Sequence, residues 1–334
     1  MTITLERAEQ AYCRVRDVVP RVEWATMADD VEAIFRLKQE RNAIILAHNY
    51  MTPEIFHGVA DITGDSLALA RQAVDVDADV IVLAGVHFMA ETAKLLNPAK
   101  TVLIPDPLAG CSLAESITPE DVRALRAQHP GVPVVTYVNT SAAVKAESDI
   151  CCTSGNAEQI IAGLGVDRVI MIPDQYLAAN IAARTGVEVI THPGSCEVHE
   201  RFTADDIRQI RADHPGVDVI AHPECPPAVV AAADFAGSTA DMVDYVARKR
   251  PGQVALITEC SMSDNVAQLY PDVKFVRPCN LCPHMKRNTL SVIRRALETM
   301  THEVTIDASV AESARAAVAR MLQPGLWKDK AVTA

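Results

Sequence analysis

The chain is 334 residues long and 49% apolar, which is enough to bury a large core in one to three domains. Its formal net charge of −12 argues against a nucleic-acid or membrane-surface partner, because both of those surfaces are anionic. No apolar run approaches the roughly 18 residues of a membrane span, and the N-terminus lacks a secretory h-region, so we expect a cytoplasmic protein.

Strands and helices are predicted to alternate after an N-terminal extension over 1–28. A helix opens at Asp29, where acidic residues fill the first turn, and continues to about Arg41. The apolar run that follows indicates a buried parallel strand ending in His48-Asn49-Tyr50. Polar groups at the carboxyl ends of such strands are where α/β sheets bind ligands. Further on we predict a helix start at Ser66, strands at 80–85 and 101–106, and a short helix at 91–96.

The same order continues through the rest of the chain and indicates parallel βαβ units. We predict helices near 119–128 and 176–184, helix starts at Ser154 and Thr239, and strands at 134–137, 169–174, 187–191, 219–222, 254–258 and 273–276. The C-terminal elements are expected to close the structure against the first unit: a helix near 287–299, a strand at 304–306 and a helix at 309–322.

The stretch that begins at Cys111 is repeated at Cys196, 85 residues further on. When the two stretches are aligned at this offset without a gap, sixteen residues between Cys111 and Asp149 are identical to their partners. The identical residues include a shared His-Pro-Gly-Val segment. Part of the pattern recurs at Cys282, at an offset of 86. An internal repeat of this size indicates a supersecondary unit that is used more than once.

Each unit brings the same three kinds of polar residue to equivalent points. These are polar clusters at strand ends (His48-Asn49-Tyr50, Tyr137-Val138-Asn139, His222-Pro223-Glu224), helix-start hydroxyls (Ser66, Ser154, Thr239) and cysteines (Cys111, Cys196, Cys282). We therefore predict an α/β fold of three α/β/α units, each a three-layer unit with a parallel sheet, about a pseudo-threefold axis. The units would span 29–111 with 285–330, then 112–196 and 197–284, around one central active site.

Three cysteines brought to one point can bind zinc or an iron–sulfur cluster. A tetrahedral zinc site normally takes a fourth protein ligand. A four-iron cluster held by three thiolates leaves one iron open, and that iron can act as a Lewis acid on a substrate hydroxyl or carboxylate. One cysteine per unit favours a catalytic cluster over a structural metal site or coincidentally buried thiols.

The remaining cysteines are not expected to form a disulfide framework, because the compartment is reducing. They are predicted to be ordinary buried packing residues: Cys13, Cys151, Cys152, Cys225 and Cys260. Cys279 and Cys282 form a CxxC motif that could be a redox pair or half of a zinc ribbon. The repeat register selects Cys282 as a ligand and leaves Cys279 spare.

The three helix-start hydroxyls have a structural interpretation as N-caps. Three helix N-termini aimed at a common centre would also bind a multiply anionic small molecule. A histidine at one strand end is more often structural, but two of the three units carry one. Acid–base groups would then surround the bound molecule: His48, Tyr50, Tyr137, His222 and Glu224.

Motifs along residues 43–290 resemble those of the quinolinate synthase family, iron–sulfur enzymes of NAD biosynthesis. The motifs are Ala47-His48-Asn49-Tyr50, Gly64-Asp65-Ser66-Leu67, Ala109-Gly110-Cys111-Ser112, Tyr137-Val138-Asn139-Thr140, Asp149-Ile150-Cys151-Cys152-Thr153-Ser154, Gly194-Ser195-Cys196-Glu197-Val198-His199, His222-Pro223-Glu224-Cys225, Gly237-Ser238-Thr239 and Cys282-Pro283-His284-Met285. Gly155 departs from the pattern, since many relatives are expected to have a larger polar residue there.

The resemblance implies a transferase that condenses iminoaspartate (iminosuccinate) with dihydroxyacetone phosphate to quinolinate, releasing phosphate and two waters. It implies a [4Fe-4S] cluster on Cys111, Cys196 and Cys282 whose open iron is the Lewis acid. An aspartate-oxidising enzyme that supplies iminoaspartate would be a functional partner, with no nucleic acid and no membrane involved. Family substrate contacts carry over onto His48, Ser66, Tyr137, Asn139, Ser154, His222, Glu224 and Thr239. Tyr50 and Glu224 are expected to transfer protons, with His48 and His222 orienting the substrate.

Two other functions are weighed against this one. A hydro-lyase of the aconitase kind also uses a three-cysteine cluster with an open iron, but it lacks the threefold repeat with helix-start hydroxyls. A cluster-based sensor would need a nucleic-acid or partner surface, and the acidic charge and the lack of an appended domain argue against it.

Overall fold

Three four-stranded parallel sheets form the framework of the computed structural model, which describes residues 6–323. In each sheet the second strand of the unit lies at one edge, followed by the first, third and fourth. The strands are β1 Ala43–His48, β2 Ile62–Gly64, β3 Val80–Ala84, β4 Thr101–Leu103, β5 Val134–Tyr137, β6 Ile150–Cys152, β7 Arg168–Ile172, β8 Glu188–Thr191, β9 Asp218–Ala221, β10 Phe235–Ala236, β11 Gln253–Ile257 and β12 Lys274–Val276. The prediction of three α/β units with parallel sheets is confirmed.

Helices flank the sheets and connect successive parallel strands. They are α1 Glu6–Tyr12, α2 Arg21–Glu40, α3 Ser66–Val74, α4 His87–Leu96, α5 Ser112–Glu115, α6 Pro119–Gln128, α7 Ala142–Ala146, α8 Ala157–Leu164, α9 Gln175–Thr185, α10 Ala204–Asp213, α11 Pro227–Ala232, α12 Thr239–Lys249, α13 Cys260–Leu269, α14 Leu290–Thr299 and α15 Ala308–Leu322. A π-helical turn covers Glu54–Val59, and 3₁₀ turns cover His199–Arg201 and Met285–Arg287.

The central strands are mostly apolar because helices cover both faces of each sheet. All five residues of β3 are buried, and β3 pairs with β1 from Ala43 opposite Val80 onwards. In the third sheet β11 pairs with β9 in the same way, from Val254 opposite Asp218. Apart from Thr136 in β5, the polar side chains of these central strands lie at the strand ends.

The sequence repeat is also visible in how helices begin. Thr118 caps α6, and its repeat partner Thr203 caps α10, each in a reciprocal capping box with an aspartate three residues later. Thr289 caps α14 at the corresponding point of the third copy. The offsets of 85 and 86 thus mark the same helix start in each copy.

Several element predictions are wrong: the strand predicted at 101–106 ends at Leu103, and the helix start predicted at Ser154 lies at Ala157. The helix predicted to open at Asp29 begins at Arg21, because Pro20 precedes its first turn and the buried stripe already includes Trp24. The helix predicted at 91–96 begins at His87. The strand predicted at 304–306 is absent from the described residues, and only an isolated bridge pairs Glu303 with Leu103.

The C-terminal helices close the structure against two units rather than the first alone. Helix α14 packs on α2 and β3, which lie in the region predicted to be the first unit. Helix α15 packs mainly on α7 and β6 of the second unit, and also on α4. Arg315 accordingly donates to the Leu95 carbonyl of the first unit at 2.7 Å, whereas Arg320 donates to the Asp149 carbonyl of the second.

The boundaries predicted for the units and for the extension over 1–28 stay predictions, and their ends at 1–5 and 324–330 lie outside the described residues. Helix α2 runs across the predicted boundary at residue 29. No helix between residues 6 and 323 combines the length and the apolar character needed to cross a membrane.

Candidate active site

One cavity between the three units is lined by all twelve of the site residues predicted from the sequence. These are His48, Tyr50, Ser66, Cys111, Tyr137, Asn139, Ser154, Cys196, His222, Glu224, Thr239 and Cys282. The polar clusters lie at this cavity because the carboxyl ends of β1, β5 and β9 all face it. His48 and Tyr137 are the last residues of β1 and β5, and His222 directly follows β9.

The helix-start hydroxyls are not N-caps, contrary to the structural interpretation of these residues. Asp65 caps α3 by accepting from Ala68 N at 2.8 Å, which leaves Ser66 in the first helical position. Ser238 caps α12 and likewise leaves Thr239 in the first position. Because the neighbouring residue performs the capping, the hydroxyls themselves remain available to the cavity.

Ser154 lies in the second unit, two residues before the helix-flanking residue Asn156. The three helix starts meet next to it, at Gly155. A Cβ placed on Gly155 would lie 3.3 Å from Ser238 Oγ and 3.7 Å from Asp65 Oδ2. Gly155 therefore lies at a point where the three units approach one another, and a larger side chain there would need Ser238 to shift.

Each predicted cysteine ligand precedes one turn of helix. The backbone carbonyls of Cys111, Cys196 and Cys282 each accept a hydrogen bond from the residue four positions later, at 3.0, 3.0 and 3.2 Å. All three thiols are free and half-buried. The loops also touch, since a Cβ on Gly110 would lie 3.4 Å from His284 Nδ1.

The thiols fit a metal group that supplies positive charge. Burial raises the pKa of Cys111 to about 12 and that of Cys282 to about 11, and it also raises the pKa of Cys196. Without a cation the three thiols would stay protonated at neutral pH. A bound metal ionises such thiols, and three thiolates from separate loops are a donor set that suits an iron–sulfur cluster.

A second group of side chains could hold a single metal ion. The ligand atoms of Cys196, His199 and Glu224 all lie within 4.8 Å of one another. His199 Nδ1 lies 2.8 Å from Glu224 Oε2 and 3.2 Å from Cys196 Sγ, while Nε2 contacts Thr258. Both ring nitrogens and the carboxylate are therefore already engaged with protein partners.

Glu224 lies at the centre of a buried polar network. The Tyr137 hydroxyl donates to Oε1, and His199 contacts Oε2. Burial alone would raise the pKa of Glu224, but His199, His222 and the hydrogen bonds from His199 and Tyr137 outweigh burial and lower that pKa. Glu224 is therefore an ionised carboxylate at neutral pH and can accept a proton.

A chain of hydrogen bonds leads from Glu224 to Tyr50. His199 Nε2 lies 2.9 Å from Thr258 Oγ1, and the Tyr50 hydroxyl lies 2.6 Å from the same oxygen. Burial, followed by the charge of Glu224, raises the pKa of Tyr50 well above its ordinary value. Tyr50 is therefore a protonated phenol that can give up a proton and regain one through Thr258.

His48 and His222 are neutral at physiological pH. Burial lowers the pKa of His48 to about 4 and that of His222 to about 3. The neutral rings can each donate one hydrogen bond and accept another. Asn139 contributes a further unpaired group, because its Oδ1 is buried and finds no partner among the described residues. A ligand in the cavity can satisfy these groups.

The sequence prediction missed two residues of this network, His199 and Thr258. His199 belongs to the family motif Cys196-Glu197-Val198-His199, so the sequence marked this residue, but no role was predicted for it. Thr258 gave no signal, because its repeat partner is Pro173. Both residues break the threefold pattern on which the site prediction relied.

The prediction that Cys260 is an ordinary packing residue and that Cys279 is left spare is wrong. These two cysteines are bonded to each other, with their Cα atoms 4.8 Å apart. An isolated parallel bridge between Glu259 and Asn280 brings the two segments together. Neither the cysteine content of the chain nor its expected compartment indicates that Cys260 and Cys279 lie next to each other. Cys13 is exposed rather than buried, whereas Cys151, Cys152 and Cys225 are buried as predicted.

The third cysteine loop is tied to the first unit by Lys286. Its Nζ donates to the Tyr50 carbonyl at 3.0 Å and lies 2.9 Å from the buried carboxylate of Glu259. On the other side of the cavity, His284 Nε2 lies 3.0 Å from Glu197 and joins the second and third cysteine loops. The third cysteine loop is therefore held to the first unit and to the second cysteine loop by side-chain contacts.

Comparison with known proteins gives consistent matches over most of the chain. The family model described as "Quinolinate synthetase A protein" matches residues 32–323. A quinolinate synthase of Agrobacterium fabrum is 71% identical over 316 residues, which cover 95% of this chain and 92% of the relative. Quinolinate synthase 1 of Mesorhizobium japonicum is 70% identical over 322 residues, covering 96% and 99%. A quinolinate synthase of Xylella fastidiosa is 72% identical over 294 residues, covering 88% and 87%.

Proposed function

Because this chain belongs to the quinolinate synthetase A family, we propose that it is an enzyme that forms quinolinate from iminoaspartate and dihydroxyacetone phosphate. The reaction releases phosphate and two waters. The observation that carries the proposal is the convergence of the twelve predicted site residues on one cavity between the units. The cavity brings a small number of polar groups from all three units together within a largely apolar lining, as is usual for a small-molecule site.

Cys111, Cys196 and Cys282 are the proposed ligands of a [4Fe-4S] cluster. Support comes from their equivalent positions before three helical turns and from the fact that none of these three thiols is used in a disulfide. When bound, such a cluster offers one iron without a protein ligand, which can polarise a carbon–oxygen bond of the substrate.

Glu224 and Tyr50 are the proposed proton-transfer groups. Ring formation requires proton removal from carbon, and the ionised Glu224 carboxylate can take that proton. Departing hydroxyls need a proton, and the Tyr50 phenol can give one. The Thr258 and His199 contacts offer a route by which Tyr50 is resupplied from the Glu224 side, over the 2.6 and 2.9 Å bonds described above.

The hydroxyls and amides of the cavity are the proposed substrate contacts. Ser66 and Thr239 begin α3 and α12, where unpaired backbone N–H groups and the helix dipole favour carboxylate or phosphate. Ser154, Asn139 and Tyr137 would add polar contacts from the second unit. The neutral rings of His48 and His222 would orient the substrate without adding charge.

The reaction also implies a source for its unstable imine. An enzyme that oxidises aspartate must supply iminoaspartate, and we propose functional coupling to such an enzyme in the cytoplasm. Small molecules are the proposed ligands of the site, with no role for nucleic acid or membrane.

The direct test is product formation by the anaerobically reconstituted enzyme. The protein is loaded with iron and sulfide, given dihydroxyacetone phosphate and freshly generated iminoaspartate, and assayed by chromatography for quinolinate and by colorimetry for phosphate. We expect equal amounts of the two products. Phosphate release without quinolinate, or no turnover with a fully loaded cluster, would overturn the proposal.

A further inference from the structure

Asn49 makes a buried contact with one of the three hydroxyls and does not itself line the cavity. Its Nδ2 donates to Thr239 Oγ1 at 2.8 Å, and the two residues are 5% and 3% exposed. Asn49 follows β1 in the first unit, whereas Thr239 begins α12 in the third. The contact therefore joins two units directly behind the cavity wall.

The backbone around Asn49 is held in place from both sides. Its N–H donates to the Gly64 carbonyl at 3.0 Å. Asn265 Nδ2 donates both to the Asn49 carbonyl at 3.0 Å and to the Met51 carbonyl at 2.8 Å. Asn265 is 1% exposed. The backbone of Asn49 is thus fixed by hydrogen bonds, and these also fix the position from which its side chain contacts Thr239.

The direction of this hydrogen bond decides what the Thr239 hydroxyl can do. A hydroxyl has one proton to donate and two lone pairs that accept. Because Asn49 donates to one lone pair, the hydroxyl proton is left for another acceptor. Thr239 lines the cavity, and its hydroxyl donates to no acceptor among the residues described, so that acceptor would be an oxygen of the ligand.

The other two units lack this arrangement. In the repeat register the residues equivalent to Asn49 are Val138 and Pro223, and neither side chain can donate a hydrogen bond. Val138 and Ser66 line the same small cavity, which matches the placement of Asn49 beside Thr239. The three hydroxyls are therefore related by the fold but differ chemically, since within residues 6–323 only Thr239 of the three accepts a hydrogen bond from a side-chain amide.

We propose that Asn49 is a positioning residue that fixes the Thr239 hydroxyl as a hydrogen-bond donor to a carboxylate or phosphate oxygen of the substrate. The arrangement makes one of three related anion positions distinct, so that an asymmetric substrate binds in one orientation. A substrate group that can only donate hydrogen bonds is disfavoured there. This inference rests on the proposed function and deepens it.

The test compares Asn49→Val, Thr239→Val and the double variant. Asn49→Val installs the residue that the second unit already carries at this point. Dissociation constants for quinolinate and for dihydroxyacetone phosphate are measured by equilibrium dialysis on the anaerobic holoenzyme. We expect Asn49→Val to weaken binding of at least one of these ligands about tenfold, the size of one hydrogen bond to a charged group. In the Thr239→Val background the same change should have less than about a twofold effect.

Controls separate this role from a purely structural one. Thr239→Ser keeps the hydroxyl and should retain the full response to Asn49→Val, and thermal unfolding shows whether stability has changed. If Asn49→Val does not fold, Asn49→Ala gives the same comparison. An equal effect of the Asn49 change with and without the Thr239 hydroxyl, or unchanged binding of both ligands, overturns the inference. Such a result leaves the proposed function intact if the variants still form quinolinate, whereas failure of the wild type to form it counts against the function itself.

Discussion

Replacing Thr258 by valine tests whether Tyr50 is supplied with protons through the buried network. Thr258 is fully buried, and its Oγ1 lies 2.6 Å from the Tyr50 hydroxyl and 2.9 Å from His199 Nε2. Valine keeps the shape but removes both contacts, at about 0.5–1.5 kcal/mol each, so stability should fall by about 1–3 kcal/mol. If proton delivery depends on this oxygen, turnover should fall about 100-fold, which corresponds to about 2.7 kcal/mol on the barrier.

The assay is quinolinate formation by anaerobic holoenzyme with matched cluster content. Thr258→Ser is the control, since it keeps the hydroxyl, and it should retain most of the activity. Combining Thr258→Val with Tyr50→Phe should cost little more than Tyr50→Phe alone, because both changes interrupt one route. Near-normal turnover of Thr258→Val with an intact cluster would refute the route, and so would fully additive losses in the double variant.

Three other predictions follow from the same site. Glu224→Gln keeps the size of the side chain but removes the base, so turnover should fall about 100-fold or more while the cluster spectrum survives; a turnover close to wild type would remove Glu224 from proton transfer. Ser154→Ala should weaken substrate binding by about 1–3 kcal/mol with normal cluster content, as measured by the apparent affinity for both substrates; an unchanged affinity would exclude Ser154 as a contact. The cluster-free protein should lose stability as pH falls below about 6.5, because the unfolded chain then protonates His48 and His222 whereas the native pKa values are about 4 and 3. By pH 5 the two histidines together should cost about 4 kcal/mol in urea unfolding, and equal stabilities at pH 7 and pH 5 would contradict buried neutral rings.

The repeat made most of the site predictable from the sequence. An offset of 85 or 86 links Cys111, Cys196 and Cys282, and three copies of one fold must place equivalent residues at equivalent points. Fully apolar strands such as β3 also indicated parallel sheets covered on both faces. The convergence of polar strand ends on one cavity follows from those two observations together.

Features without a repeat partner could not be predicted in this way. Thr258 corresponds to a proline in the second unit, so no periodicity marks it, although it joins His199 to Tyr50. The capping position was misplaced by one residue at Ser66 and Thr239, because two polar residues stand side by side at each of these two starts, as with Asp65 and Ser66. Which of the two caps the helix depends on backbone angles that composition does not fix.

The pairing of Cys260 with Cys279 escaped prediction for a different reason. The two residues are 19 positions apart and lie in segments that the bridge between Glu259 and Asn280 brings side by side. Their proximity is a property of the third unit as a whole. The redox state of a compartment predicts how common disulfides are there, but it does not predict which two cysteines lie close together.

The most direct test of the central claim is iron and sulfide content across a series of single Cys→Ser variants. The claim is that three equivalent thiols from three units hold one catalytic cluster. After anaerobic reconstitution, Cys111→Ser, Cys196→Ser and Cys282→Ser should each lose the brown chromophore and quinolinate formation. Cys279→Ser, three residues from Cys282, should keep about four irons per chain and remain active. A cluster that survives Cys282→Ser but is lost in Cys279→Ser would contradict the assignment and the threefold account that produced it.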